Sequence, residues 1–207
     1  MMTGRFITLE GGEGVGKTSN ITFIESVLRN HNIPVLLTRE PGGTNLAEAL
    51  RELLLDKEQE VVATQTELLM MFAARAQHIK HVINPALAQG TWVICDRFTD
   101  ATYAYQGGGR HMSYAAIAWL ENFVQANLRP DLTLLLDAPI EIGMERVGKR
   151  GSLDRFESEK MAFFAQVRQA YLNIAQQQPQ RVKVIDATQT LEQVQTEIQT
   201  VLQPFLS

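Results

Sequence analysis

Gly11-Gly12-Glu13-Gly14-Val15-Gly16-Lys17-Thr18 is the stretch that decides the fold of this 207-residue chain. A glycine, four variable residues and Gly-Lys-Thr is the spacing of a loop that wraps phosphate groups. Glycines let the backbone turn its amide hydrogens inward onto an anion. The apolar run at residues 6–9 precedes the loop as a strand would, and residues 17–30 follow it with helical character. A helix beginning there adds the positive end of its dipole. In that setting Lys17 meets terminal phosphates, and the Thr18 hydroxyl stands where a magnesium ion is held. A glycine turn that merely precedes Lys-Thr would have no need of a strand before it and a helix after it.

Working outward, the runs 34–38, 92–95, 132–136 and 182–185 read as further buried strands. Helical patterns fill 45–55, 65–88, 114–126, 140–149, 157–176 and 191–206. The last of these opens on Thr190-Leu191-Glu192-Gln193, a capping box. Strand alternating with helix predicts an α/β fold, a mostly parallel sheet covered on both faces. Ligands of such sheets bind at the carboxyl ends of the strands. Polar residues collect at those ends: the glycine loop, Thr38 to Thr44, Asp96-Arg97, Asp137, and Asp186-Ala187-Thr188.

Asp96 follows its strand where a carboxylate could organise magnesium, and Arg97 beside it could neutralise a phosphate. A strand-terminal cap and a surface ion pair are the plainer readings of the two. Arg146, Lys149, Arg150 and Arg155 form a second basic group around Gly148 and Gly151. A solvated helix end and a cationic lid both fit that spacing. His78 and His81 lie three apart on a helix without a carboxylate or cysteine at ligand spacing, so an exposed or packing role is expected rather than metal binding.

Composition bounds the rest. The length suits one domain, residues 1–207, and 45% apolar with 20% charged residues is ordinary for a globular protein. A net charge of -4 gives no basic surface for nucleic acid, though a local basic site remains compatible with it. Cys95 is the only cysteine, so no intrachain disulfide can form; at the end of an apolar run it reads as a small buried residue. No run reaches membrane-spanning length and no signal segment precedes the first strand, so a cytoplasmic location is expected.

Five blocks make the chain resemble the bacterial thymidylate kinases, P-loop kinases that phosphorylate dTMP to dTDP. They are residues 9–18, Thr38-Arg39-Glu40-Pro41-Gly42-Gly43-Thr44, Asp96-Arg97-Phe98, Ala104-Tyr105-Gln106-Gly107-Gly108-Gly109-Arg110, and Arg150-Gly151-Ser152-Leu153-Asp154-Arg155. The resemblance implies the P-loop NTPase nucleotide-kinase fold, a five-stranded parallel sheet in the order 2-3-1-4-5 with a short basic lid at about 143–156. It implies ATP as phosphoryl donor on residues 11–18, magnesium at Thr18 and Asp96, and a homodimer.

Residue by residue, it implies that Glu13 accepts from the acceptor's sugar hydroxyl and that Arg51 and Arg97 hold the dTMP phosphate. Arg75 contacts thymine, Thr102 and Gln106 complete the bonding to the base, and Tyr105 lies against the deoxyribose. Pro41 belongs to the same acceptor site. Arg146 lies over adenine, with Asp186, Ala187 and Thr188 on its other side. Some members of the family carry an arginine within the glycine loop; this chain has Gly14 and Val15 there, which points to Arg150 in the lid as the cation beside Lys17, Arg97 and Glu13 in catalysis. The thymine-stacking phenylalanine usually stands four residues before the arginine. Here that position is Met71, and Phe72 stands three before it; a pocket using both is expected. The helix containing Leu68 to Ala74 is apolar almost all round, so one side is expected to face a second subunit. The nearest alternatives are a kinase for another nucleoside monophosphate or a deoxynucleoside, and, more distantly, a nucleotide-binding regulator without transfer activity.

Overall fold

A computed structural model of the chain describes residues 4–58, 60–148 and 154–206. Five strands, β1 (Phe6–Glu10), β2 (Val35–Arg39), β3 (Trp92–Asp96), β4 (Leu132–Asp137) and β5 (Val182–Asp186), form one parallel sheet in the order β2-β3-β1-β4-β5. This is the α/β architecture and strand order predicted above. The three inner strands are buried along nearly their whole length, whereas β2 and β5 are only partly covered, as edges are.

Alternation along the strands builds two cores. Leu134 and Leu136 of β4, with Ile7 and Leu9 of β1, face α1 (Lys17–Asn30) and α9 (Leu191–Leu206), meeting Ile24, Leu28, Ile198 and Leu202. Leu135 points the other way into a cluster with Phe164, Val167 and Tyr171 of α8 (Met161–Gln177). Because all strands run parallel, Asp96 pairs beside Leu9 and Arg39, and Asp137 beside Asp186. The polar ends therefore gather at the carboxyl end of the sheet. Cys95 is buried there as expected, its thiol donating to the Arg97 carbonyl at 3.0 Å. Burial pushes its pKa up.

Three elements differ from the sequence reading. The helix expected over 65–88 is α3 (Thr64–His78), a π-helical turn (Ile79–Ile83) and α4 (Asn84–Ala88) in succession. Pro85 has no N–H to give to the preceding turn, so regular α-helical bonding cannot run through it. Helix α8 starts four residues later than expected. Asp154 and Glu157 exchange side-chain and backbone bonds in the turn before it, at 3.0 and 2.8 Å. Finally, α5 (Thr99–Thr102) and a π-helical turn (Tyr103–Gly109) form a segment that periodicity did not mark, rich in glycine at its end. The remaining helices are α2 (Asn45–Leu55), α6 (Tyr114–Gln125) and α7 (Ile140–Gly148). The Thr190–Gln193 capping box forms, each side chain meeting the other residue's N–H. Among the described residues no helix is long and apolar enough to cross a membrane.

Candidate active site

The glycine loop joins β1 to α1 as the motif requires. Gly14 has φ 69°, and a Cβ there would run into the Gly143 carbonyl of α7. No side chain fits at that position, which explains in this chain why the loop carries no cation at residue 14. Val15 turns its side chain into the core and leaves only backbone to the loop. Lys17 folds back over its own loop, donating to the Gly12 carbonyl at 2.8 Å and the Gly11 carbonyl at 3.3 Å. Burial lowers its pKa, and Arg97 lowers it further, while nearby carboxylates oppose both. An entering phosphate would satisfy this desolvated ammonium better than two carbonyls do.

Arg97 joins the loop to a neighbouring cleft. Its backbone adopts φ 67° with its N–H on the Leu9 carbonyl at 2.9 Å, and Glu10 accepts the next N–H, from Phe98, at 2.7 Å. The guanidinium donates through Nη1 to the Gly11 carbonyl at 2.9 Å and through Nη2 to Glu13 Oε1 at 2.6 Å. It lies 4.8 Å from the Tyr105 ring centroid, and the Tyr105 hydroxyl donates to the same Glu13 oxygen at 2.7 Å. Burial alone would depress the Arg97 pKa. Glu13, with the Tyr105 and Tyr171 phenols and Asp96, outweighs it, and the net shift is upward. Beneath lies Glu10, fully buried, whose second oxygen accepts from Tyr171 at 2.8 Å. Burial, reinforced by Asp100, raises its pKa from 4.5 to about 7.

Beside the loop, Arg97 also lines a cleft that opens to solvent at its mouth. Glu13, Pro41, Arg51, Arg97 and Tyr105 line it, as do Met71, Arg75, Thr102 and Gln106. Phe72 does not. It is 2% exposed and packs with Leu68 and Ile117, and its ring carries the Arg75 guanidinium at 4.8 Å. The pocket shared by Met71 and Phe72 is thus corrected: Met71 is wall, and Phe72 is core beneath Arg75. One helical position turns a side chain by about 100°, enough to move it from cleft to core.

Arg75 is held from several sides. Nε donates to Glu40 Oε2 at 2.6 Å and Nη2 to the Thr102 hydroxyl at 3.0 Å, while Nη1 is buried with no partner. Glu40 Oε1 meets His78 Nδ1 at 2.9 Å, and His78 Nε2 meets Thr38 at 2.6 Å. His78 therefore packs and bonds in the interior, whereas His81 is exposed. Arg51 donates to the Pro41 carbonyl at 3.0 Å and forms no ion pair with any carboxylate among the described residues. Burial, then repulsion from Arg39, lowers its pKa. A guanidinium held this way is well placed to take an anion.

On the other side of the loop, Arg146 Nη1 reaches the Ala187 carbonyl at 3.3 Å and the Gly14 carbonyl at 3.5 Å. The turn after β5 is fixed by Asp186, which accepts from the Thr188 N–H at 2.9 Å. Arg146, the glycine loop and residues 186–188 are thereby brought together. Lys149 and Arg150 lie outside the described residues. Arg155 is not a mobile cation: it donates to the Leu54 carbonyl at 2.6 Å and to Glu67 at 2.7 Å.

Asp96 and Thr18 suit a hard cation in kind. Asp96 Oδ1 is buried without a hydrogen-bond partner, and Thr18 is exposed at the mouth of the loop. No cluster of three or more His, Cys, Asp or Glu with metal-binding geometry occurs among the described residues. Magnesium needs none, since it keeps waters and phosphate oxygens and takes only one or two protein oxygens.

Sequence reasoning missed Glu40, Glu67 and the far wall of the cleft, Asp154 and Phe156. Glu40 stands within Thr38–Thr44, just after a strand, so a signal was available. Glu67 had none, being one acidic residue in a helix's first turn.

The family model for thymidylate kinase matches residues 9–198. The thymidylate kinase of Ectopseudomonas mendocina is 60% identical over 205 residues, covering 99% of this chain and 98% of the relative. That of Pseudomonas putida strain GB-1 is 60% identical over 201 residues, covering 97% and 96%. The crystal structure of thymidylate kinase from Ehrlichia chaffeensis superposes with a TM-score of 0.79 at 33% identity, covering 97% of this chain and 99% of that one. A phosphate-wrapping loop sharing an arginine with a neighbouring arginine-lined cleft, on this sheet order, agrees with all three: the chain belongs to the thymidylate kinase family.

Proposed function

We propose that the enzyme transfers the γ-phosphoryl group of ATP to dTMP, yielding ADP and dTDP, with the two nucleotides on either side of Arg97. The observation that carries this is the position of Arg97, bound to the glycine loop through Gly11 and lining the cleft that also contains Arg51. Arg51 and Arg97 together, neither spent on the buried Glu40 pair that holds Arg75, suit an acceptor that already bears a phosphate. A deoxynucleoside kinase has no use for the second, and a non-catalytic regulator leaves the cleft unexplained.

In this reading the loop amides and Lys17 hold the ATP phosphates, and Arg146 lies against adenine beside residues 186–188. Arg51 and Arg97 orient the dTMP phosphate toward the γ-phosphate. Glu13 accepts from the sugar hydroxyl, and Tyr105 packs on the deoxyribose. Met71, Arg75, Thr102 and Gln106 surround the base. Thr18 and Asp96 would hold magnesium, which when bound neutralises phosphate charge. Catalysis is then alignment plus fixed positive charge, with no covalent intermediate. Arg150 is assigned to the same charge cluster from the sequence.

A homodimer is part of the proposal. Leu69 on α3 and the stacked pair Trp119 and Phe123 on α6 are 57%, 64% and 75% exposed. Apolar groups of that size left open suit a second subunit. Sedimentation should give twice the chain mass, and Trp119→Glu should lower it to one chain. We also place the enzyme in the cytoplasm, where both nucleotides are available.

The deciding experiment is ADP release measured over a panel of nucleoside monophosphates and deoxynucleosides. Preference for dTMP is expected. A different best acceptor would overturn the acceptor assignment while leaving the phosphotransferase reading.

A further inference from the structure

Glu67 is 1% exposed, and the mechanism above does not use it. Its Oε1 accepts from Gln106 Nε2 at 2.9 Å and Arg110 Nε at 3.3 Å. Its Oε2 accepts from Arg155 Nη2 at 2.7 Å and Arg110 Nη2 at 3.4 Å. A carboxylate only accepts, so Gln106 can meet it only through its NH2 group. The amide has one orientation as a result. With its NH2 end turned to Glu67, the end of the amide that Gln106 can offer to the cleft it lines is the carbonyl Oε1, an acceptor. On the same cleft, Arg75 carries a buried Nη1 with no partner, which is a donor.

We propose that Glu67 is a positioning residue that sets base specificity, by locking Gln106 as an acceptor beside the Arg75 donor. A donor next to an acceptor matches the edge of thymine, whose O4 accepts and whose N3–H donates. Cytosine offers the reverse, an amino donor at C4 and an acceptor at N3. It would set donor against donor and acceptor against acceptor, leaving buried polar groups unpaired. Released from Glu67, the amide can turn over and donate to cytosine N3. The inference rests on the dTMP reading and goes beyond it, because it assigns selectivity to a residue that need not touch the nucleotide.

The test is the isosteric Glu67→Gln variant, with kcat/KM measured for dTMP, dUMP and dCMP. The dTMP to dCMP preference should fall by about tenfold or more. The dTMP to dUMP preference depends on the 5-methyl group and should stay as in the unaltered enzyme. Equal loss on all three acceptors would make Glu67 merely structural and overturn the proposal. Gln106→Met should lose the same discrimination, and adding Glu67→Gln to it should change the preference no further; further loss in the double variant would overturn action through the amide. Should Glu67→Gln fail to fold, Gln106→Met decides alone, since full rejection of dCMP by that variant refutes the amide as reader. The unaltered enzyme separates the two readings: if it does not favour dTMP over dCMP, the acceptor assignment itself falls.

Discussion

Arg97 Nη2 lies 2.6 Å from Glu13 Oε1, while Nη1 of the same guanidinium holds the Gly11 carbonyl. One planar fork thus spans the loop backbone and the cleft, a geometry that a lysine cannot reproduce. Arg97→Lys should lower kcat by about 100-fold with a much smaller effect on the KM for ATP. Steady-state kinetics with both nucleotides varied would show it. Retained kcat with only KM for dTMP raised would make Arg97 a binding group alone.

Gly14→Ala tests the contact between the loop and α7. The new methyl would strike the Gly143 carbonyl and would have to hold φ 69°. A loss of about 1–3 kcal/mol is expected, together with weakened ATP binding. Thermal unfolding with and without ATP measures both. An unchanged midpoint and ATP affinity would show that loop and helix separate freely.

Glu40 sets the position of Arg75 and also satisfies His78, with both partners buried. Glu40→Ala should therefore destabilise the fold by about 3–5 kcal/mol, since it leaves a buried cation unpaired. Glu40→Gln retains a hydrogen-bonding group, so its fold should survive while the KM for dTMP rises. Chemical denaturation and initial rates together distinguish the two effects.

Glu10 makes stability depend on pH in a definite direction. Burial raises its folded pKa to about 7 from 4.5, so the folded protein holds this proton more tightly. Its contribution is present below the unfolded value and is lost as pH rises toward the folded one. Stability of the nucleotide-free, magnesium-free protein should decline across that interval. Glu10→Gln, which mimics the protonated acid, should flatten the decline. An identical pH profile in the variant would remove Glu10 as its source.

Lys17→Ala should abolish transfer, because the loop contains no second side-chain cation and Gly14 has no room for one. The variant should remain folded, since the lysine bonds only to loop carbonyls. Near-normal turnover would refute the role assigned to the loop.

Much of this molecule is written in local pattern. The glycine loop, the apolar runs and the helical periods between them determine the parallel sheet and which residues stand at its carboxyl ends, because strand and helix periods are properties of adjacent residues. The glycine loop is legible for the same reason: its function lies in backbone that the local residues shape. Tertiary structure alone decided that Phe72 is core and Met71 wall, since an all-apolar helix does not say which side meets the cleft. It alone closed position 14 with Gly143, anchored Arg155 to Leu54 and Glu67, and tied Arg75 to Glu40 across 35 residues. Those contacts join segments remote in sequence, and a buried charge shows its partner only once the chain has brought the two together.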